Sequence, residues 1–409
     1  MIASSGIAEH ETIHIAVRNA FRNASDQLRG PVSCIFLFVS GNYLDGCSEL
    51  IRSALDELAP EVPVFGCSAE SIVGRGREIE GQTAASVLLV GELSQPPHIF
   101  ALECLRTPDG PTVVGFTDEI IERARRCNGM LVVACPLTFS VDMLITALEP
   151  ERGTAVVPII GGYCSSQNWE SSSVLFCNNK VMNRGAVGLV LPPELHWQTI
   201  VSQGCRPIGD PMVVTSLDGN TILGLGGKPA LPMLRGMFQR LPSHERDMAI
   251  DALLIGRAIT EYSDTFSHGD FLIRNVQGVD TDLDGIVVTD RFQVGQTIRF
   301  HVRDAQGADT DLTHLLSRVS KGGIDNKAGL LFSCNGRGHR MFSQSNHDAL
   351  AIDKTFPGLP LAGIFAAGEF APLSNRNLTH GFTAVAAFLR ESARNDSECS
   401  LISSRRRFT

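Results

Sequence analysis

This chain of 409 residues has no excess of positive charge: 35 Lys and Arg stand against 44 Asp and Glu, a formal net charge of -9. A surface of that sign disfavours nonspecific attraction to phosphate backbones and anionic lipid, so nucleic acid is not an expected partner. Paired cysteine motifs are also missing. The 11 cysteines are odd in number and contain no C-x-x-C, and Cys34, Cys135, Cys177 and Cys334 sit inside apolar strand-like runs. That pattern argues against a disulfide framework or a zinc ribbon and reads as reduced thiols, with no metal site expected. Residues 1–10 lack a basic cluster followed by an apolar run, which excludes a recognisable secretory signal. No stretch of eighteen continuous apolar residues is present, so no membrane span is expected, and the compartment predicted is the cytoplasm. Low-complexity linkers are absent too, so domains should pack directly on one another.

What is present is ordinary globular material, 43% hydrophobic and 19% charged. The length implies more than one core. The most informative feature is a pattern that occurs three times. An apolar strand-like run and a helical pattern lead to a Pro-apolar-apolar-Gly tetrapeptide, then to small residues and a further apolar run. The copies are Pro63-Val64-Phe65-Gly66, Pro158-Ile159-Ile160-Gly161 and Pro360-Leu361-Ala362-Gly363. Their upstream runs begin at Cys34, Leu131 and Leu330, about thirty residues earlier, a separation that fits strand, crossover helix and second strand. The fold class predicted is α/β, mixed α+β, built of repeated strand-helix-strand-strand modules in two packed domains. The tetrapeptides are expected to end strands parallel to the upstream ones.

Along the chain, Ile13, Val17, Ala20, Phe21, Ala24 and Leu28 recur at helical spacing, so residues 1–28 are assigned to an N-terminal helix ended by Gly30-Pro31. The first module runs from a strand at 34–39 through a helix capped by Asp45 or Ser48 to a turn at 66–70 and a strand at 86–90. In the second, a strand at 130–135 precedes a helix at 141–148 behind a Ser140 cap, a turn at 161–166 and a strand at 186–191. Asp218-Gly219 and Asp284-Gly285 mark hairpins in the middle region, with helices at 231–241 and 312–319 between them. In the third, a strand at 330–333 leads to a helix from an Asn346 cap to Phe356, a turn region at 364–370 and a strand at 382–388. The domains are placed at 29–226 and 227–392, with a disordered tail over 393–409.

Turns at the carboxyl ends of parallel strands line ligand crevices. Gly66, Gly161 and Gly363 remove a side chain where backbone can approach a ligand, and Cys67, Ser68, Gly162, Ser165, Ser166, Gly368 and Glu369 lie beside them. Each glycine alone equally reads as a close-packing or bulge position.

At Ser333-Cys334-Asn335-Gly336-Arg337-Gly338, at 360–369 with its Ala366-Ala367-Gly368-Glu369 end, and at Leu378-Thr379-His380-Gly381-Phe382-Thr383, the chain resembles the C-terminal FIST domain. Val64-Phe65-Gly66-Cys67-Ser68-Ala69-Glu70 is similar to the turn of the N-terminal FIST domain, and the likeness spans residues 28–389. The resemblance implies a ligand-sensing signal-transduction protein, with small molecules such as amino acids as proposed ligands. FIST domains occur alone or coupled to signalling or F-box modules; this chain has room for neither, so a separate signalling partner is expected. It implies no catalytic residue, and none is expected; the cofactor stays unknown.

Site residues follow from physics. Arg337 in a glycine-rich turn can hold a carboxylate bidentately, with Asn335 beside it, and Glu369 in an apolar run must be paired or protonated. They either form the two ends of a ligand site or salt-bridge each other. His380 reads as a hydrogen-bonded histidine rather than a base. Some FIST-like proteins are associated with haem and nitric-oxide sensing, for which His196, His339 or His380 would be the axial ligand. A cysteine-dependent hydrolase using Cys67 or Cys164 is the enzymatic alternative. Asp280-Thr281-Asp282-Leu283-Asp284-Gly285 imitates a calcium loop but has Arg291 where the twelfth-position Glu belongs, so it is read as a polar hairpin turn. The glycines at 224–227 and 336–338 lack nucleotide-binding spacing.

Overall fold

Runs that are apolar at every position suit strands covered on both faces, which is the situation of parallel pairs joined by crossover helices. The computed structural model describes residues 1–392 except 42–47, 109, 150–155, 167–172, 262–265, 267–268, 324 and 374. The chain opens with strand β1 (Ile2–Glu9), helix α1 (Ile13–Ser25), strand β2 (Val32–Ser40), crossover helix α2 (Ser48–Leu58) and strand β3 (Val64–Ala69). A hairpin of β4 (Ser71–Gly74) and β5 (Arg77–Glu80) and a closing strand β6 (Ala84–Gly91) complete the first module. The order then repeats: β7 (His98–Thr107) with β8 (Gly110–Val114), α3 (Asp118–Arg126), β9 (Met130–Ala134), α4 (Val141–Ala147), β10 (Ile159–Tyr163), the hairpin β11 (Leu175–Cys177) and β12 (Lys180–Met182), and β13 (Ala186–Val190).

The third copy starts at β14 (Leu195–Gln203) and is interrupted by an insertion. This insertion holds β15 (Cys205–Asp218), β16 (Thr221–Leu225), β17 (Lys228–Pro229), α5 (Ala230–Arg240), α6 (Ser243–Asp251), β18 (Leu253–Ala258), β19 (Phe271–Asp280), β20 (Gly285–Val288) and β21 (Thr297–Arg303). The copy resumes with α7 (Ala305–Lys321), β22 (Asn326–Cys334), α8 (His347–Thr355), β23 (Leu361–Ala366), the hairpin β24 (Glu369–Leu373) and β25 (Arg376–His380), and β26 (Thr383–Glu391). The predicted mixed α/β class and its module order are thus present.

Within each module the two strands around the crossover helix are parallel: β2 with β3, β9 with β10, and β22 with β23. The hairpins, however, leave home. Strand β4 pairs with β23 of the third module, β11 with β3 of the first, and β24 with β10 of the second. The sheets therefore read β1-β6-β2-β3-β11-β12, β8-β7-β13-β9-β10-β24-β25 and β14-β26-β22-β23-β4-β5. Each module lends a hairpin to a neighbour and receives one from the other, which closes the three into an interlocked ring. In the insertion, β15 pairs with both β21 and β16, closing six antiparallel strands into a barrel with α5 and α6 against its core.

Alternation along β2 shows how the ring is filled. Cys34, Phe36 and Phe38 point into the shared core, while Ile35, Leu37 and Val39 face α1 and α2. Phe38 meets Phe332 of the third module edge-on at 6.4 Å. Helices α7 and α8 cover the third sheet in the same way through Leu312, Leu316, Ala349 and Ile352.

Several expectations are corrected. Residues 1–28 are not one helix: Ile2–Glu9 is a strand, paired along its length with β6. The helix begins only at Ile13. Gly6 permits this, since a Cβ there would lie 2.1 Å from Ala20 O of α1. The three tetrapeptides begin their strands rather than end them, and residues 66–69, 161–163 and 364–366 continue as strand instead of turning. The helix expected at 231–241 is α5, one residue earlier, whereas the one expected at 312–319 is part of the longer α7, and α6 was not foreseen. Helix α3 was missed as well, although Thr117 caps it, Asp118 and Glu119 open it and Arg123, Arg125 and Arg126 close it. Ser140 does cap α4. Asn346 stands at the start of α8 in the left-handed region, φ 62°, but does not cap it; its Oδ1 accepts from Glu78 N–H at 2.7 Å. Both predicted hairpins are present, and Asp280 Oδ1 accepts from Asp282 and Leu283 N–H within its turn. Asp45, the side chain of Ser48 and the tail over 393–409 lie outside the described residues.

Candidate functional site

The recurring glycines sit opposite the first strand of their own module: Gly66 beside Leu37, Gly161 beside Val132 and Gly363 beside Leu331. A Cβ on them would lie 1.7, 1.8 and 1.9 Å from the carbonyl oxygen of that partner. No side chain larger than hydrogen fits between the two backbones. Close approach of two strands accounts for the repetition.

Beyond these glycines the three modules meet. Gly162 pairs with Glu369, and Glu369 with His380, in one row across three strands. Ser165 touches all three modules, because its Oγ accepts from Glu70 N–H at 2.9 Å and donates to Phe365 O. Ser68 is held by Val174, which accepts from Ser68 N–H at 2.8 Å and donates to Ser68 Oγ at 2.9 Å. Gly368 O accepts from Tyr163 N–H at 2.9 Å. Cys67 and Cys164 are both buried. Burial, and then the neighbouring Cys164, push the Cys67 thiol well above its ordinary value. A thiol kept protonated in this way lacks the activation a hydrolase nucleophile requires.

The loop after β22 carries Asn335 and Arg337. Asn335 N–H donates to Ala366 O at 2.8 Å. Its own carbonyl accepts from Arg340, which also pairs with Glu70 of the first module. Arg337 is fully buried, but its carboxylate is not Glu369. Nε and Nη2 donate to the two oxygens of Asp348, each at 2.8 Å, and the guanidinium lies over Phe342 at 5.1 Å. Burial alone would raise Asp348; the Arg337 charge and hydrogen bonds overcome it and hold this carboxyl well below the usual range. Glu369 is also fully buried and accepts from Thr383 Oγ1 at 2.6 Å. Burial outweighs that bond and pushes Glu369 up to about 8. Glu78, from the hairpin lent by the first module, accepts from Ala349 N–H at 2.9 Å and is likewise raised to about 8, by burial and then by the Asp348 charge. Asp348, Glu78 and Thr383 were not foreseen. Asp348 had a sequence signal, as an acid in the first turn of a helix; the other two are joined only through the exchanged hairpin and the closing strand.

The three histidines weighed as haem ligands are far apart in the topology. His196 is on edge strand β14 opposite Arg390. His339 is exposed beside Glu80. His380 shares a 3.0 Å hydrogen bond with Ala371 O through Nε2, and burial lowers it to about 4. That ring is neutral near pH 7.

The residues singled out from sequence are thus gathered at the module junction, where they are committed mainly to protein partners. Open space lies elsewhere. A cleft of about 540 Å³ opens where α2, β3, β7 and the β11–β12 turn meet, between the first and second modules. Leu55, Val62, Ile99 and Phe176 are among its apolar lining, and Arg52, Asn178 and Lys180 are among its polar lining. The volume lies within the range of small-molecule sites.

Residues 33–228 match the FIST N domain and residues 230–372 the FIST C domain. An uncharacterised protein of Mycobacterium bovis is 37% identical over 374 residues, covering 91% of this chain and 94% of its own. An uncharacterised protein of Mycobacterium tuberculosis is 34% identical over 386 residues, covering 93% of this chain and 98% of its own. The boundary between the two matched domains falls within the inserted barrel, and the sheets themselves run across it.

Proposed function

The chain belongs to the FIST family of sensory signal-transduction proteins, with both its N and C domains, and on that premise we propose that it is a cytoplasmic, non-enzymatic sensor of a small metabolite. One observation carries the reading: the 540 Å³ cleft is walled by elements of two modules, so a ligand in it touches both sides of a seam. Ligands change protein shape only through differential contacts with two arrangements, and a seam supplies them. The buried Cys67 thiol, pushed up by burial, supports a binding role over a catalytic one. The nine described cysteines, all unbonded, support a reducing compartment. The signal would pass to a separate protein partner.

A thermal-shift screen of the purified protein against amino acids, organic acids, nucleotides and haem tests this reading. A metabolite at ~100 times its dissociation constant should add roughly 2.7 kcal/mol of stability. Ala59 lines the cleft and is half-buried; Ala59→Trp should fill the space and abolish the shift while leaving the ligand-free melt nearly unchanged. Hits that survive Ala59→Trp would remove the cleft as the site. A panel without hits would remove metabolite sensing of those classes.

A further inference from the structure

The barrel leaves the ring at Gly204 and returns at Asp304. These two residues are tied, with Asp304 N–H donating to Gly204 O at 3.1 Å and Gly204 N–H donating to Phe382 O at 2.9 Å. The Phe382 backbone adopts the left-handed region there, φ 60°, an uncommon conformation for an aromatic residue. Away from this connection the barrel also touches strand β25 of the ring. Arg274 Nη1 of the barrel donates to Thr379 O at 3.2 Å, and Arg376 Nη1 of the ring donates to Ile259 O at 3.3 Å.

Between barrel and ring lies a second cavity, of about 550 Å³. Arg257, Leu272 and Gln296 line it from the barrel, Arg376 and Leu378 from the ring, and Glu261 lies on its rim. Arg257 has only a shared carboxylate. Asp290 is held by Arg274 at 2.7 Å and stands 3.8 Å from Arg257. Arg376 has no ion pair among the described residues. Like charges facing one cavity repel, and an anion between them relieves that repulsion. Glu261 is occupied in part, because its two oxygens accept from Thr297 N–H at 3.0 and 3.1 Å. It presents an acceptor to the cavity, which suits a ligand with hydroxyl groups at the end away from its charge.

We infer that this cavity binds a small hydroxylated oxyanion, its carboxylate or phosphate between Arg257 and Arg376 and its hydroxyls toward Glu261, and that the bound anion clamps the barrel to the ring. The site is separate from the cleft between the first and second modules and stands whether or not that cleft is the sensory one. Guanidiniums take carboxylate and phosphate with the same forked geometry, so the two headgroups are tested in separate arms. Calorimetry with glycerate and with glycerol 3-phosphate, and with glycerol as the uncharged control, should show saturable binding of at least one acid and none of glycerol. The arm that binds identifies the headgroup. Arg376→Ala, at an exposed position, and Arg257→Gln should each weaken that binding by ~10- to 100-fold, the loss of one charge-assisted contact. Ala59→Trp should leave it unchanged. The bound acid should also slow hydrogen exchange of the β18 and β25 amides. Absence of binding by both acids at millimolar concentration would overturn the inference, as would equal binding of glycerol or an affinity unmoved by either substitution. If Arg257→Gln does not fold, Arg376→Ala decides alone.

Discussion

The second and third modules run through the same elements, yet the starts of their crossover helices are chemically unlike. Each has an acid as its second residue, Asp142 in α4 and Asp348 in α8. Asp142 is exposed and accepts one bond from Thr379 Oγ1 at 2.9 Å, on the hairpin lent by the third module. Asp348 is 1% exposed, grips Arg337 with both oxygens and lies beside Glu78, on the hairpin lent by the first. The same joint is thus made once by a solvated hydrogen bond and once by a buried ionic cluster. The backbone order does not decide which; in the third module the loop after β22 supplies Arg337 to the helix start and the borrowed hairpin supplies Glu78. A buried pair gains little over an apolar substitute but is costly to break on one side, whereas a solvated bond is cheap to lose. The third joint should therefore be the brittle one.

The largest effect is expected where the modules are alike. Gly161→Ala and Gly363→Ala each place a methyl within 2 Å of a partner carbonyl, and should cost more than the ~1–3 kcal/mol typical of overpacking. Both variants should accumulate little folded protein by circular dichroism and denaturant melts. If either folds within about 1 kcal/mol of the parent, strand approach does not explain the repetition. Next comes the contrast itself. Arg337→Ala removes the guanidinium that balances Asp348 in the core, leaving it Ser333 Oγ and His347 Nδ1, and should lower stability by roughly 3–5 kcal/mol, while Asp142→Ala should cost about 0.3–1 kcal/mol. Similar urea midpoints for the two would erase the distinction between the joints.

The remaining effect concerns protons. Glu369 keeps its proton in the fold up to about 8 but would release it at an ordinary carboxylate value when unfolded. The fold therefore binds more protons through that window, and stability falls as pH rises from near 4.5 toward 8, by at most about 1.4 kcal/mol per pH unit for this group. Glu78 acts in the same direction. His380 acts in the opposite one, because its lowered value means that stability is lost as pH falls below 6.5 toward 4. Glu369→Gln, which mimics the protonated acid, should flatten the decline in urea midpoint between pH 6 and 8. An unaltered slope would show that Glu369 is already ionised in the fold.

Much of the ring was legible in the chain. Completely apolar runs at a constant distance from a Pro-apolar-apolar-Gly sequence marked the three parallel pairs, since only strands with helices on one face and core on the other need such runs. The glycines were legible as special but not as to purpose, because a position without a side chain looks the same whether a ligand or a carbonyl takes the space. Small residues in β1 hid a strand whose pairing depends on β6, about eighty residues away. The partner of Arg337 was hidden for a related reason. Glu369 was chosen as the acid in an apolar run, but Asp348, polar by its sequence neighbours, is buried only because β5 and the loop after β22 close over it.

Hydrophobic periodicity and the repeated Pro-apolar-apolar-Gly spacing thus determined by themselves that this is a mixed α/β chain of three related modules, because those patterns act over a few tens of residues. The exchange of hairpins, the Arg337–Asp348 pair, the raised Glu78 and Glu369 carboxyls and the two cavities at the seams were decided only by tertiary structure. Each depends on which strands and loops the tertiary packing brings together, and no local pattern encodes that arrival.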